Sequence, residues 1–187
     1  MSSLVGPDGK ELKSEVKKEE PATPEPNHDI TKRIVPPHDK KSRLVTEADL
    51  DRVVEETKIL FRLCYTPVGL YKAAHAMHHS QIDDKDPLNF FVLATQFIVI
   101  NPVITRHTNT FVDSLEACMT FPDKEQIVVP RWHKIEVDYV TIMVDPDNKE
   151  KFKLSSVQHQ HISGQSAFVF QHELDHGESK YIYQLVK

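Results

Sequence analysis

The sequence predicts an α+β fold in which small antiparallel or mixed sheets pack around a C-terminal helix carrying HExxH. Three observations predict it. Apolar residues at helical spacing open the folded part, apolar and alternating stretches fill its middle, and the string QHELDH lies close to the end of the chain. With 187 residues, 39% of them hydrophobic, the chain suits one domain with a real core.

Residues 1–45 come first. Half of the twelve prolines lie there, beside a segment, KELKSEVKKEEPATPEPNHD, that mixes Lys and Glu freely. With so few aromatic or clustered aliphatic side chains, burial cannot offset the entropy of ordering. Residues 1–45 are therefore predicted to form a disordered tail, and 46–187 the domain. The plain reading of the tail is a solvated extension; the functional one is a docking arm for the ribosome or another protein.

Thr46, followed by Glu47-Ala48-Asp49, reads as a helix N-cap with an acidic first turn. Leu50, Val53, Val54 and the run from Thr57 to Leu60 continue at helical spacing, so a helix is expected over residues 46–63. Pro67 and Gly69 stop it. Tyr71 to His79, with small Ala73 and Ala74, reads as a loop or short helix. Phe90 to Ile100 is apolar strand material, and Lys134 to Val144 (KIEVDYVTIMV) alternates as a half-buried strand does. Ser163 to His176 is expected to form the last helix, with Ala167, Val169, Phe170 and Leu174 in an arrangement that a buried helix can accept.

Composition narrows the function. A formal charge of −5 gives no electrostatic reason to expect nucleic acid or an anionic membrane as partner. Two cysteines, Cys64 and Cys118, build no disulfide framework and suit a reducing compartment. No stretch approaches the roughly 18 apolar residues of a membrane span. The N-terminus has no apolar signal region, and its acidic residues argue against a transit peptide. A soluble, cytoplasmic protein is expected.

The chemistry concentrates in QHELDH. His172 and His176, four residues apart, project from one helix face and can grip one metal ion, while Glu173 can reach a water on that ion without coordinating it. A third ligand is needed, from the cysteines, the carboxylates or the other histidines. Cys118 is the best candidate: it lies in Leu115-Glu116-Ala117-Cys118-Met119-Thr120, bounded by Pro122, where a strand can end opposite the last helix. Thiolate and two imidazoles leave a fourth position for water. Cys64, on the first helix, reads as a small core residue.

These residues, in this order, resemble the peptide deformylases from about Leu50 to Tyr183. That family shows a GxGxAAxQ loop, an EGCxS strand end and a QHExDH helix; the chain offers an approximate, a close and an intact version. Ile100-Asn101-Pro102, Val129-Pro130-Arg131 and Ile135-Glu136-Val137 match further stretches, and Gly164 and Ala167 precede the helix as usual. The resemblance implies a hydrolase that removes the N-formyl group from methionine at the start of new polypeptides, using one divalent metal, typically iron. Zinc, nickel and cobalt also suit the donor set. Cys118, His172 and His176 would hold the metal, which activates water and polarises the formyl oxygen. Glu173 would shuttle the proton, the Met119 backbone N–H would donate to the oxyanion, and Gly69 and Leu70 would meet substrate.

The departures sit mainly in the first motif, Val68-Gly69-Leu70-Tyr71-Lys72-Ala73-Ala74-His75-Ala76. Tyr71 stands where a second glycine belongs. Ala76 stands where the family has a glutamine whose amide helps stabilise the oxyanion. Losing such a donor slows chemistry about a hundredfold to a thousandfold unless a neighbour such as His75 or a water substitutes. Ala117 and Thr120 replace glycine and serine in the second motif. The third motif continues as Gly177-Glu178-Ser179 rather than with the usual leucine, and the C-terminus is short, as in deformylases encoded by bacteriophages. An active deformylase is the leading expectation. A deformylase-like binding protein without efficient turnover is the alternative, and an HExxH metalloprotease lacks an evident downstream ligand. His75, His78 and His79 are expected on an exposed polar turn rather than at a second metal. His159 and His161 are expected on a solvated strand face, Arg131 is expected to hold Glu116, and Trp132 to serve in packing.

Overall fold

The structure, a computed structural model, describes residues 29–186. Its largest sheet has the order β1-β2-β3-β6-β9, formed by Ala76–His78, Phe90–Leu93, Phe97–His107, Lys134–Val140 and Gln158–Ser163. Two hairpins complete the β-structure: β4 (Phe111–Glu116) with β5 (Ile127–Trp132), and β7 (Ile142–Val144) with β8 (Phe152–Leu154). All the paired strands run antiparallel, so the mixed alternative falls away.

Helix α1 (Leu50–Cys64) covers one face of the large sheet and α2 (Gln165–Gly177) the other. Strand β2 shows why its sequence is continuously apolar: Phe90 and Val92 pack with Leu60 and Leu63 of α1, while Phe91 meets Phe170 of α2 edge-on at 5.1 Å. A strand buried on both faces has no polar side to alternate with. The predicted strand from Phe90 to Ile100 is instead a hairpin, broken between Leu93 and Phe97, where Gln96 takes a left-handed φ of 65°.

The helix expected over 46–63 is a 3-10 turn, Glu47–Asp49, leading into α1. Thr46 donates its backbone N–H to the Asp49 carboxylate at 2.8 Å, as the sequence suggests for a capped start. The buried stripe of α1, Leu50, Val53, Thr57, Leu60, Leu63 and Cys64, follows the expected period. The short helix α3 (Ile182–Leu185) places Ile182 against Cys118 and Val129, closing the end of the β4–β5 hairpin.

Of the predicted tail, residues 1–28 lie outside the described residues. Residues 29–44, expected to belong to it, instead run along the domain in hydrogen bonds. The Val35 N–H donates to Gln81 O, Ser42 to Gly177 O and Arg43 to Pro87 O, each at 2.9 Å. Backbone pairing and the Arg43 ion pairs with Asp49 and Asp86 add to the packing of Ile30 and Ile34 against the core in holding this segment.

Candidate active site

Gly164, at φ +61°, turns the chain from β9 into α2. Gln171 then fixes the helix against β5: its side chain donates to Trp132 O and accepts from Trp132 N–H, both at 2.9 Å. On another face of the same helix are His172, Glu173 and His176. Cys118 lies two residues beyond the end of β4, and its Sγ stands 3.3 Å from His176 Nε2. One donor atom from each of Cys118, His172 and His176 lies within 4.8 Å of the others.

Behind this trio is a chain of charged hydrogen bonds. The Glu116 carboxylate faces His172 Nδ1 at 2.9 Å, and the Arg131 guanidinium grips Glu116 with two bonds of 2.8 Å. Arg131 also donates to Asp175 at 2.5 Å. The expected Arg131–Glu116 pair is thus present, and it continues to His172, a link that sequence reasoning missed. Strand alternation carries the signal: Ser114 and Glu116 are the buried positions at the end of β4.

Electrostatics prepare the trio. Burial alone would raise the Cys118 thiol, but the His176 and His172 imidazoles outweigh it and hold Cys118 well below the usual thiol range. Burial opposes charge on His172 too, yet Cys118 and Glu116 raise it well above its ordinary value. Burial also works against the Glu116 carboxylate, but Arg131 and His172 bring it down to about 2. A soft thiolate with two imidazoles suits a divalent transition metal, and 3.3 Å is close to the separation of about 3.6 Å for thiolate and imidazole on one tetrahedral ion. The donor set fits such an ion.

Glu173 is 3% exposed, and its Oε2 is buried without a hydrogen-bond partner among the described residues. Burial raises its pKa. It lines a cavity of about 190 Å³ together with His172, Met119, Ala76, His75, Leu115, Phe168 and Val169. The Met119 N–H has no intramolecular acceptor among the described residues. Leu70 lines an adjoining open groove rather than the cavity. Gly69 supports the loop instead: at φ +54°, a Cβ there would fall 2.2 Å from Pro122 O, and the next amide, Leu70 N–H, donates to that oxygen at 2.8 Å.

Three further expectations concern histidines and a thiol. Cys64 is fully buried, and burial, followed by nearby Glu173, pushes its thiol up to about 12. His159 and His161 are exposed on β9, opposite Asp138 and Glu136. His78 and His79, expected on an exposed turn, are fully buried. Each finds polar partners inside: Ser80 N–H donates to His78 Nδ1, Leu88 N–H donates to His79 Nδ1, and His79 Nε2 meets Glu56. Glu56, His79 and Asp83 are close enough to hold a metal, but Arg52 pairs with both carboxylates and supplies the positive charge.

The family model for polypeptide deformylase matches residues 38–187. No individual curated protein sequence matches the chain. Among solved structures, the chain is similar to peptide deformylase from Thermotoga maritima, at 22% identity and a TM-score of 0.63, over 80% of this chain and 90% of that one. The Thermus thermophilus enzyme gives 23% identity and a TM-score of 0.62, over 83% and 85%. The enzyme of the Vibrio parahaemolyticus bacteriophage VP16T, solved with actinonin, gives 23% and 0.58, over 79% and 95%. With the model match spanning the whole described domain from His38 onward, the chain belongs to the polypeptide deformylase family.

Proposed function

We propose that this chain hydrolyses the N-formyl group from the terminal methionine of new polypeptides, with one divalent metal held by Cys118, His172 and His176. One observation carries the reading: three converging donor atoms share a site with a buried, unpartnered carboxylate of Glu173. A bound metal would supply Lewis acidity to the formyl oxygen and acidity to a water. Iron is the ion the family resemblance implies.

The chain's own groups do the rest. With its pKa raised by burial, Glu173 takes a proton from the attacking water at its carboxylate and returns it to the leaving amine. The Met119 N–H donates to the oxyanion. Leu115, Phe168 and Val169 offer apolar walls for the methionine side chain, and Leu70 borders the groove through which the following residues leave. Glu116 and Arg131 hold His172 in one orientation.

The test is formate release from a formyl-Met-Ala peptide by iron-loaded protein purified anaerobically. Glu173→Gln is expected to lower it by about 10²-fold to 10⁴-fold without loss of bound metal. No release by folded, metal-loaded wild-type protein would favour the binding-protein reading, for which Ala76 is the supporting observation.

A further inference from the structure

His78 takes no part in the reading above, yet it is fully buried and lies next to the proposed ligand His176. The two rings are nearly parallel, 20° apart, with centroids separated by 6.5 Å. The His78 tautomer follows from its neighbours. Its Nδ1 receives the Ser80 backbone N–H at 3.1 Å and faces Ser80 Oγ at 3.0 Å. An amide can only donate, so Nδ1 offers its lone pair and the hydrogen sits on Nε2. His176 turns Nε2 to Cys118, so as a ligand it carries its own hydrogen on Nδ1. His176 Nδ1 is buried without a partner among the described residues, and His78 Nε2 has only the Asn89 side chain beside it, outside ordinary hydrogen-bond geometry.

Two donors cannot satisfy each other, and buried N–H groups are rarely left unsatisfied. Asn89 brings an acceptor to the same place. A Cβ on Gly177 would stand 3.3 Å from Asn89 Oδ1 and 3.3 Å from His78 Nε2, so the amide and the ring converge beside the residue that follows His176. A water placed there would accept from both imidazoles and donate to Asn89. The departure at Gly177, where the family pattern continues with leucine, thereby gains a physical reason: any side chain would crowd this group.

We propose that His78 is a positioning residue for the metal ligand His176, acting with Asn89 through a shared buried water. The proposal rests on the metal-centre reading of Cys118, His172 and His176. Each imidazole ligand then has an acceptor for its outer N–H that fixes its ring, the Glu116 carboxylate for His172 and, for His176, the water that His78 and Asn89 would hold in place.

The experiment measures Co²⁺ and Zn²⁺ affinity of the full chain by competition with a chromophoric chelator, with thermal unfolding of the metal-stripped protein alongside. One equivalent bound by wild type and lost in Cys118→Ser establishes the centre; without that result the metal reading itself fails, independently of His78. His78→Asn keeps an acceptor for the Ser80 amide but cannot reach His176, whereas the amide of His78→Gln reaches the Nε2 position. Affinity is expected to fall about tenfold or more in His78→Asn and to stay within about threefold in His78→Gln. Wild-type affinity in His78→Asn, or equal losses in both, would overturn the proposal in favour of a cap on Ser80 alone. Gly177→Ala decides if His78→Asn does not fold. Its Cβ intrudes on the group while improving helix propensity, so weaker metal binding is expected at an unchanged or higher unfolding temperature of the stripped protein. Unchanged binding overturns the proposal.

Discussion

Ala76 is where a single residue is expected to set the rate. It lies on β1, 7% exposed, and lines the cavity with Met119 and Glu173. Its methyl group cannot donate to an oxyanion. Ala76→Gln is expected to raise kcat by up to about a hundredfold with little change in KM, since the added donor acts only in the transition state; steady-state formate release checks it. Gly69 is under a different constraint, because a Cβ would run into the Pro122 backbone and φ is left-handed. Gly69→Ala is expected to destabilise the fold by about 1–3 kcal/mol in thermal unfolding. At this scale much of the site is legible in the sequence, because His172, Glu173 and His176 rest on one helical period and Cys118 on one strand end. The Glu116–His172 bond is not, since it joins residues 56 apart whose meeting depends on how β4 packs against α2. His78 and His79 are misread for a related reason: polarity suggests exposure, and only the fold reveals the amides of Ser80 and Leu88 that pair with their Nδ1 atoms.

Among the elements, α1 is the most legible, with its cap, its buried stripe and its stop all in local sequence. The hairpin between β2 and β3 is hidden, because its turn, Ala94-Thr95-Gln96, lacks Gly or Pro and the left-handed position is held by Gln96. Helix α2 depends on Gln171, whose amide replaces missing sheet partners for Trp132. Gln171→Ala is expected to cost about 1–3 kcal/mol, read from denaturant unfolding, because it leaves the Trp132 backbone groups unpaired. The segment before α1 is held by Arg43, which ties Asp49 and Asp86 together. Hydrogen bonding from Arg43 is the main reason that the carboxyls of Asp49 and Asp86 lie below the usual range. The linkage has the acidic sign: this stabilisation is full above the unfolded carboxylate value near 4 and is lost as pH falls through the lowered folded values. Arg43→Ala is accordingly expected to flatten the acid side of the unfolding temperature against pH while lowering its plateau.

For the whole molecule, the sequence anticipates an α+β domain with a metal-bearing helix at its end, and the structure adds the arrangement of one helix on each face of a five-stranded sheet. The edge of the described domain is the part that local sequence misplaces, since residues 29–44 are held by backbone hydrogen bonds and ion pairs together with the packing of Ile30 and Ile34 against the core. None of the described helices is long and apolar enough to cross a membrane. Cys118 and His176 face each other although 58 positions separate them in the chain. An ion shared between them would close a ring that contains β5 to β9 and most of α2, much as a covalent cross-link would, and a ring of that size removes about 4 kcal/mol of entropy from the unfolded chain. The ion would then govern survival as well as turnover: a cell short of it would hold a shorter-lived protein, and its abundance would follow the metal supply.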